Sequence, residues 1–379
     1  MKNKIFIGII LSLISLVLGY YFYITAFAYE TVYVSDLNQH IRVSQLLFNP
    51  EFYTENYLPH IEGYLLFHIV IKVVSLFTNG NYELSSAIVL SLSCILTILI
   101  VIFYWSKLLK RKLKNDEIFL IILLIFVAGL PLLGKLYLPQ GTPTPWHNPT
   151  LLFSRPFAIV SFFSFYNLLI NKNNKIPKIE MFIFSVSTIL SCYAKPSFVF
   201  VFISTAGIIV LINILADKFK CFKWAVNILL LVTPTLILLL YQYTLSFSNN
   251  LTMIIRFGSF LRLDLISVII ASLAVLAFPI IHLLTNYKKI KYKVLLIMGY
   301  STFLMGWMQQ YFLDVKEFSY GDFSWGYFIS IFLLYLVTLI DLKGHSVKTN
   351  ILTYAIYIIQ FFFGVIYLIK QMNLEGFLL

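Results

Sequence analysis

Apolar runs recur along the chain from one end to the other, separated by short polar stretches. Runs long enough to cross a bilayer, about 17 to 25 residues, fall at 5–27, 84–105, 117–134, 151–170, 179–194, 197–216, 224–247, 264–284, 293–312, 323–341 and 350–370. They predict an all-α polytopic membrane protein with about 11 transmembrane helices. A further run, 61–77, is comparable in length but carries Glu62, His68 and Lys72, which at 100° per residue share an arc of about 120°. An amphipathic segment of that kind lies flat in the interface. Spans 179–194 and 197–216 are separated only by Lys195-Pro196. Such a break is tolerated at membrane depth where protein or a water-filled cavity receives the freed backbone groups.

The basic residues decide how 61–77 is used. If it crossed, the cluster Lys107, Lys110, Arg111, Lys112 and Lys114 would fall opposite the N-terminus, against the positive-inside rule. If it does not, that cluster is cytoplasmic, together with Lys2, Lys4, Lys172, Lys175, Lys178, Lys218, Lys220, Lys223, Lys288, Lys289, Lys291, Lys293, Lys343 and Lys348. That puts 19 of 28 basic residues inside and 11 of 16 acidic residues outside, so the expectation is a non-spanning 61–77 and a cytoplasmic N-terminus. The chain then forms a single transmembrane domain, 1–379, in which 28–83 is a large first external loop with two juxtamembrane helices and 84–379 holds the remaining spans. Ala26-Phe27-Ala28 is similar to a signal-peptidase site, but the run before it exceeds the usual 7 to 15 residue signal core. It is expected to stay as the first span.

Composition fits this picture: 60% apolar and 17% aromatic residues, 12% charged, and a mean hydropathy of +0.88 exclude a soluble enzyme. The net charge of +12 sits in short clusters between apolar runs, which orients helices against membrane lipids and argues against a nucleic-acid partner. Cys94, Cys192 and Cys221 lie in or beside apolar runs with no disulfide framework or metal spacing.

Candidate chemistry concentrates on the external side. The stretch 28–60 holds Glu30, Asp36, Glu51 and Glu55, four of the sixteen acidic residues. Asp36, just past the first span, is the first candidate, because an ionisable group there is costly without a task or partner. The plainer alternative is that Ser35 or Asp36 N-caps a short helix through Gln39, Arg42 and Leu46. Asp36 and His40 are spaced i, i+4, which leaves a divalent metal open, although HExxH, paired CxxC and DxD are all lacking. Lys135, Arg155, Lys195, Arg256 and Arg262 lie near helix ends or prolines and suit a lipid phosphate; the alternative is snorkelling to headgroups. The proline-rich loop 138–150 stiffens Trp146, His147 and Asn148 into a rim suited to a sugar, or into an interfacial anchor. Asp314, Glu317, Asp322 and Trp325 make a second acidic and aromatic rim, with Asp322 alternatively capping the span 323–341. His282 and His345 are the only internal histidines, and both border basic loops.

A first span followed by a large external loop with an acidic residue near its start, Ser35-Asp36, and by juxtamembrane helices near Ile41 to Phe48 and Ile61 to Phe77 resembles the GT-C class of membrane glycosyltransferases. That class includes protein mannosyltransferases and aminoarabinose transferases. The resemblance covers the arrangement of roughly 1–135 and the hydropathy of the remainder. One departure is that many members pair two acids in the first loop, whereas Asp36 has only Glu30 nearby, which puts metal use in doubt. Pro149, Arg155 and Gly321 to Gly326 are similar to membrane proteins of bacterial surface-polysaccharide loci. The resemblance implies inverting transfer of a sugar from a polyprenyl-phosphate-linked donor to a glycan or lipid-linked acceptor, on the outer face of a bacterial plasma membrane. It implies Asp36 as general base and Arg155, Lys195 and Arg256 as stabilisers of the departing phosphate. His40, Trp146, His147, Asn148, Asp322 and Trp325 would line the substrate site. No cofactor beyond a divalent metal is suggested. The alternatives are a polymerase of lipid-linked oligosaccharide repeats, which would put its largest external loop later in the chain, and a lipid-linked sugar flippase, which would spread charge through the spans.

Overall fold

A computed structural model describes residues 2–27, 36–49, 62–132, 148–173, 177–246, 253–257, 264–315 and 324–373. The helices are α1 (Lys2–Phe27), α2 (Leu37–Leu46), α3 (Leu66–Ser75), α4 (Tyr82–Leu109), α5 (Asn115–Leu124), α6 (Pro149–Ile170), α7 (Lys178–Ala194), α8 (Pro196–Ala216), α9 (Phe222–Ser246), α10 (Leu265–Asn286), α11 (Lys293–Phe312), α12 (Ser324–Leu342) and α13 (Ile351–Met372). Two short strands, β1 (Met253–Ile255) and β2 (Leu313–Val315), pair antiparallel with Ile254 opposite Asp314, and among the described residues all other regular structure is helical.

Among the described residues, eight helices are long and apolar enough to cross a membrane: α1, α4, α6, α8, α9, α10, α12 and α13 with its preceding turn. The chain is that of a multi-pass membrane protein. Three of the eleven predicted spans fall short of that measure. Helix α7 has 17 residues. Helix α11 has 20 but includes Gly299, Ser301, Thr302, Gln309 and Gln310. The third, 117–134, is helical only as far as Leu124. Beyond it the backbone turns irregular, and the Ala128 and Leu130 N–H groups donate to Gln360 O of α13 (3.1 Å) and Ala274 O of α10 (3.2 Å). Carbonyls of neighbouring helices thus stand in for the lost helical acceptors, as backbone inside an apolar body requires. Gln360 adds its own side chain, with Nε2 donating to Ala274 O (3.2 Å) and Tyr335 Oη (2.9 Å).

The hub is α12, buried at every residue from Ser324 to Leu342. It is enclosed by α5, α6, α8, α10 and α11. Helix α11 reaches it through small residues: a Cβ at Gly306 would lie 2.6 Å from Ser330 Oγ and 2.9 Å from Tyr327 Cα.

Segment 61–77 forms a turn at Glu62–Tyr64 and then only ten residues of α3. Ten residues rise about 15 Å, half of a hydrocarbon core of about 30 Å. Part of its polar arc turns to protein, however. His68 is fully buried beside Phe67 and Ile71, and Lys72 Nζ donates to Gln45 O (3.3 Å) and Leu47 O. These carbonyls close α2, where helical partners run out, so the lysine serves as a C-terminal cap from another helix.

Contacts divide the ends of the body. Asp36, Asn148, Tyr64, Lys195 and the β1–β2 ribbon belong to one. The ion pairs Lys107–Glu180, Arg111–Glu117, Lys172–Asp217 and Lys343–Asp116 belong to the other, among the basic connections.

Candidate functional site

Asp36 occupies the N-cap position of α2, yet its side chain makes no capping hydrogen bond. Its Oδ2 accepts instead from Asn148 Nδ2 at 3.0 Å. The Asn148 amide is oriented by its own helix: it N-caps α6, with Oδ1 accepting from Leu151 N–H (2.8 Å) and the Thr150 hydroxyl (2.7 Å). Its NH2 group is therefore left for the carboxylate. One turn along α2, His40 brings Nε2 to 3.5 Å from the same Asp36 oxygen. Behind it, His40 Nδ1 lies 2.9 Å from Nε2 of His68 on α3.

His68 is held neutral. Burial foremost, then the His40 and Lys195 charges, keep its imidazole well below the ordinary histidine value. The ring of Tyr64 lies 6.5 Å from that of His68, and Lys195 Nζ sits over Tyr64 at 4.7 Å. Local sequence explains the placement of both. Pro196 at the first position of α8 ends α7, leaving Lys195 extended and buried between the two helices. Gln242 of α9 holds the Tyr64 turn by donating from Nε2 to Gly63 O and to Cys192 O (3.2 Å). A line thus runs Asn148, Asp36, His40, His68, Tyr64, Lys195, assembled from segments remote in sequence.

Arg155 lies seven residues beyond Asn148 on the same face of α6, about 10 Å deeper. It is 4% exposed and its guanidinium covers the Phe332 ring of α12 at 4.7 Å. Among the described residues no carboxylate pairs with it. An enclosed cation of this kind carries a desolvation cost on the order of several kcal/mol, which an anionic ligand would offset.

The remaining predicted residues divide. Arg256 is not joined to this line: its guanidinium pairs with Asp314 across the β1–β2 ribbon, and its N–H donates to Phe312 O (2.9 Å). A carboxylate already neutralises it, which leaves Arg256 unsuited to the expected phosphate role. Trp325 is buried in the first turn of α12, 5.5 Å from the Phe328 ring. Trp146, His147 and Asp322 lie outside the described residues, as do Glu30, Lys135 and Arg262. For a metal, Asp36 and His40 offer two donor atoms 3.5 Å apart, and no third carboxylate, thiol or imidazole among the described residues completes the set. His68 and Tyr64 were missed as site residues. Their signal was the recurrence of Tyr64, His68 and Lys72 at every fourth position, which amphipathicity alone explained.

The fold and site define a multi-pass membrane protein with a carboxylate–imidazole cluster at one end of its helical body. No protein family, curated protein or solved structure matches the chain.

Proposed function

We propose that the protein is a glycosyltransferase that moves a sugar from a polyprenyl-phosphate-linked donor to a hydroxyl of an acceptor glycan or lipid. One observation carries this reading. The Asp36 carboxylate stands at a helix N-cap but leaves the cap unmade and turns to Asn148 and His40. A carboxylate kept for helix capping would bond its own backbone.

Asp36 is the general base. The acceptor oxygen bonds to the anomeric carbon as that carbon's bond to the phosphate oxygen breaks. The hydroxyl proton passes to Asp36, and the lipid phosphate leaves with the bonding electrons, inverting the centre. Asn148 and His40 hold the carboxylate in place, while Arg155 and Lys195 stabilise the departing charge. The asymmetry of basic residues supports an outer-face site.

Asp36→Asn tests the assignment. Transfer is expected to fall about 10²- to 10⁴-fold, the usual worth of a positioned base, with protein level and thermal melting near wild type. Mass spectrometry of surface glycans from cells carrying only this variant reads the result. Unchanged glycans at wild-type protein level remove Asp36 from the reaction.

A further inference from the structure

The other end of the body holds a second cluster that sugar transfer does not use. Asp341, in the last turn of α12, is fully buried with His282 of α10, and His345 follows one turn later at the edge of the same helix end. The carboxylate is divided between two kinds of partner. Oδ1 accepts the backbone N–H groups of Lys291 (2.9 Å) and Tyr292 (2.8 Å), which lead into α11. Oδ2 faces both imidazoles, 2.9 Å from His282 Nε2 and 3.2 Å from His345 Nε2. All three side-chain donor atoms lie within 4.8 Å of one another.

From this geometry we infer that His282, Asp341 and His345 form a binding site for a first-row divalent transition ion of the zinc type. Three features converge on it. Two imidazoles and one carboxylate form a borderline donor set that suits zinc or iron over magnesium or calcium. Tetrahedral zinc with bonds of about 2.0 to 2.1 Å separates its ligand atoms by roughly 3.3 Å, close to the 2.9 and 3.2 Å found here. The carboxylate oxygen away from the imidazoles is fixed by two backbone donors, the outer-shell support that metal ligands carry. Side-chain exposure of 9% at His345 leaves an entry path for the ion.

The hydrogen-bonded form is the competing state. Asn286 Nδ2 lies 3.3 Å from His282 Nδ1, which puts the His282 proton on Nε2, toward Asp341. Loading moves that proton to Nδ1 and turns the Asn286 amide together with that of Asn350, which now accepts from Asn286 Nδ2 at 2.5 Å, so that the Asn286 oxygen accepts the His282 proton. The ion then joins α10, α12 and the segment before α13 more firmly than the protons do.

The test uses the full-length protein, purified in detergent and stripped with a chelator. Titration with Co2+ is expected to give a visible four-coordinate absorption band saturating at one ion per chain. Zn2+ is expected to abolish that band and raise the melting temperature, whereas Mg2+ does neither. His345→Ala should lose the band while retaining the His282–Asp341 pair, and hence the fold. Asn286→Ala should weaken Zn2+ about 10- to 100-fold. His40→Ala, which disturbs only the cluster at the other end, should leave the Co2+ band and its one-ion stoichiometry as they are. Absence of the band and of any Zn2+-induced melting shift overturns the site in favour of a purely hydrogen-bonded clasp. A band that survives His345→Ala or disappears with His40→Ala overturns it in favour of another location.

Discussion

Asn148 performs two functions with one amide, and they can be separated. Its oxygen caps α6 and its nitrogen holds Asp36. Asn148→Ala removes both, so melting should reflect the loss of about 1 kcal/mol from the cap and transfer should fall. Asn148→Ser keeps a good N-cap but removes the amide donor to Asp36. The expected result is melting closer to wild type than in Asn148→Ala with transfer lost, and an active Asn148→Ser protein would separate this contact from the chemistry. His68 gives a pH signature. Its folded value is depressed below the ordinary 6.5, so the unfolded chain takes up the proton first as pH falls. The stability due to neutral His68 is full above about pH 6.5 and declines below it, by at most about 1.4 kcal/mol per pH unit. Melting curves between pH 7.5 and 5 should show this slope, and His68→Phe should reduce it by up to one proton. Asp36 stands out in the sequence because a charge soon after the first apolar run is conspicuous. Asn148 is legible as a substrate-rim residue of a stiff loop, and nothing local marks it as the partner of Asp36. Their contact spans 112 residues, and no local pattern encodes it. His68 was hidden for a related reason, since an amphipathic face does not say whether its polar side meets water or protein.

At the scale of elements, α5 shows where hydropathy stops being informative. After Glu117 the stretch to 134 carries no charged side chain, and periodicity cannot tell a full span from a half-helix followed by irregular backbone. The difference rests on acceptors supplied by Gln360 and Ala274, far along the chain. The other half of the arrangement is Gly364 of α13, where a Cβ would collide with the Phe126 carbonyl and lie 3.3 Å from the Ala128 nitrogen. Gly364→Leu must therefore push the irregular segment off α13. It should cost at least the 1 to 3 kcal/mol or so typical of overpacking, seen as a lower melting temperature and a broadened size-exclusion profile. Gly207→Leu on α8 is the matched control, because nothing lies within 4 Å of its Cβ. Comparable losses in both would mean that leucine in any of these helices is harmful, and would remove the special role of Gly364. By contrast, the break between α7 and α8 was legible, because Pro196 imposes it locally.

At the scale of the molecule, the transfer reaction depends on which end faces which side of the membrane, and the chain is well suited to measuring this. Its three cysteines are all buried, at 0% for Cys94 and Cys192 and 3% for Cys221, so background labelling by a bulky, membrane-impermeant maleimide should be low. Asn49, just past α2, and Lys348, ahead of α13, are exposed at opposite ends of the body. With the basic connections inside, Asn49→Cys should be labelled in intact cells and Lys348→Cys only after permeabilisation. The reverse pattern would move Asp36 to the cytoplasmic face, and the transfer reading would have to take its donor from that side. The same reversal would leave the His282–Asp341–His345 ion site intact but expose it to a different metal pool. The two proposals therefore respond differently to one experiment, because the first depends on where its lipid-linked substrate is available and the second only on local geometry.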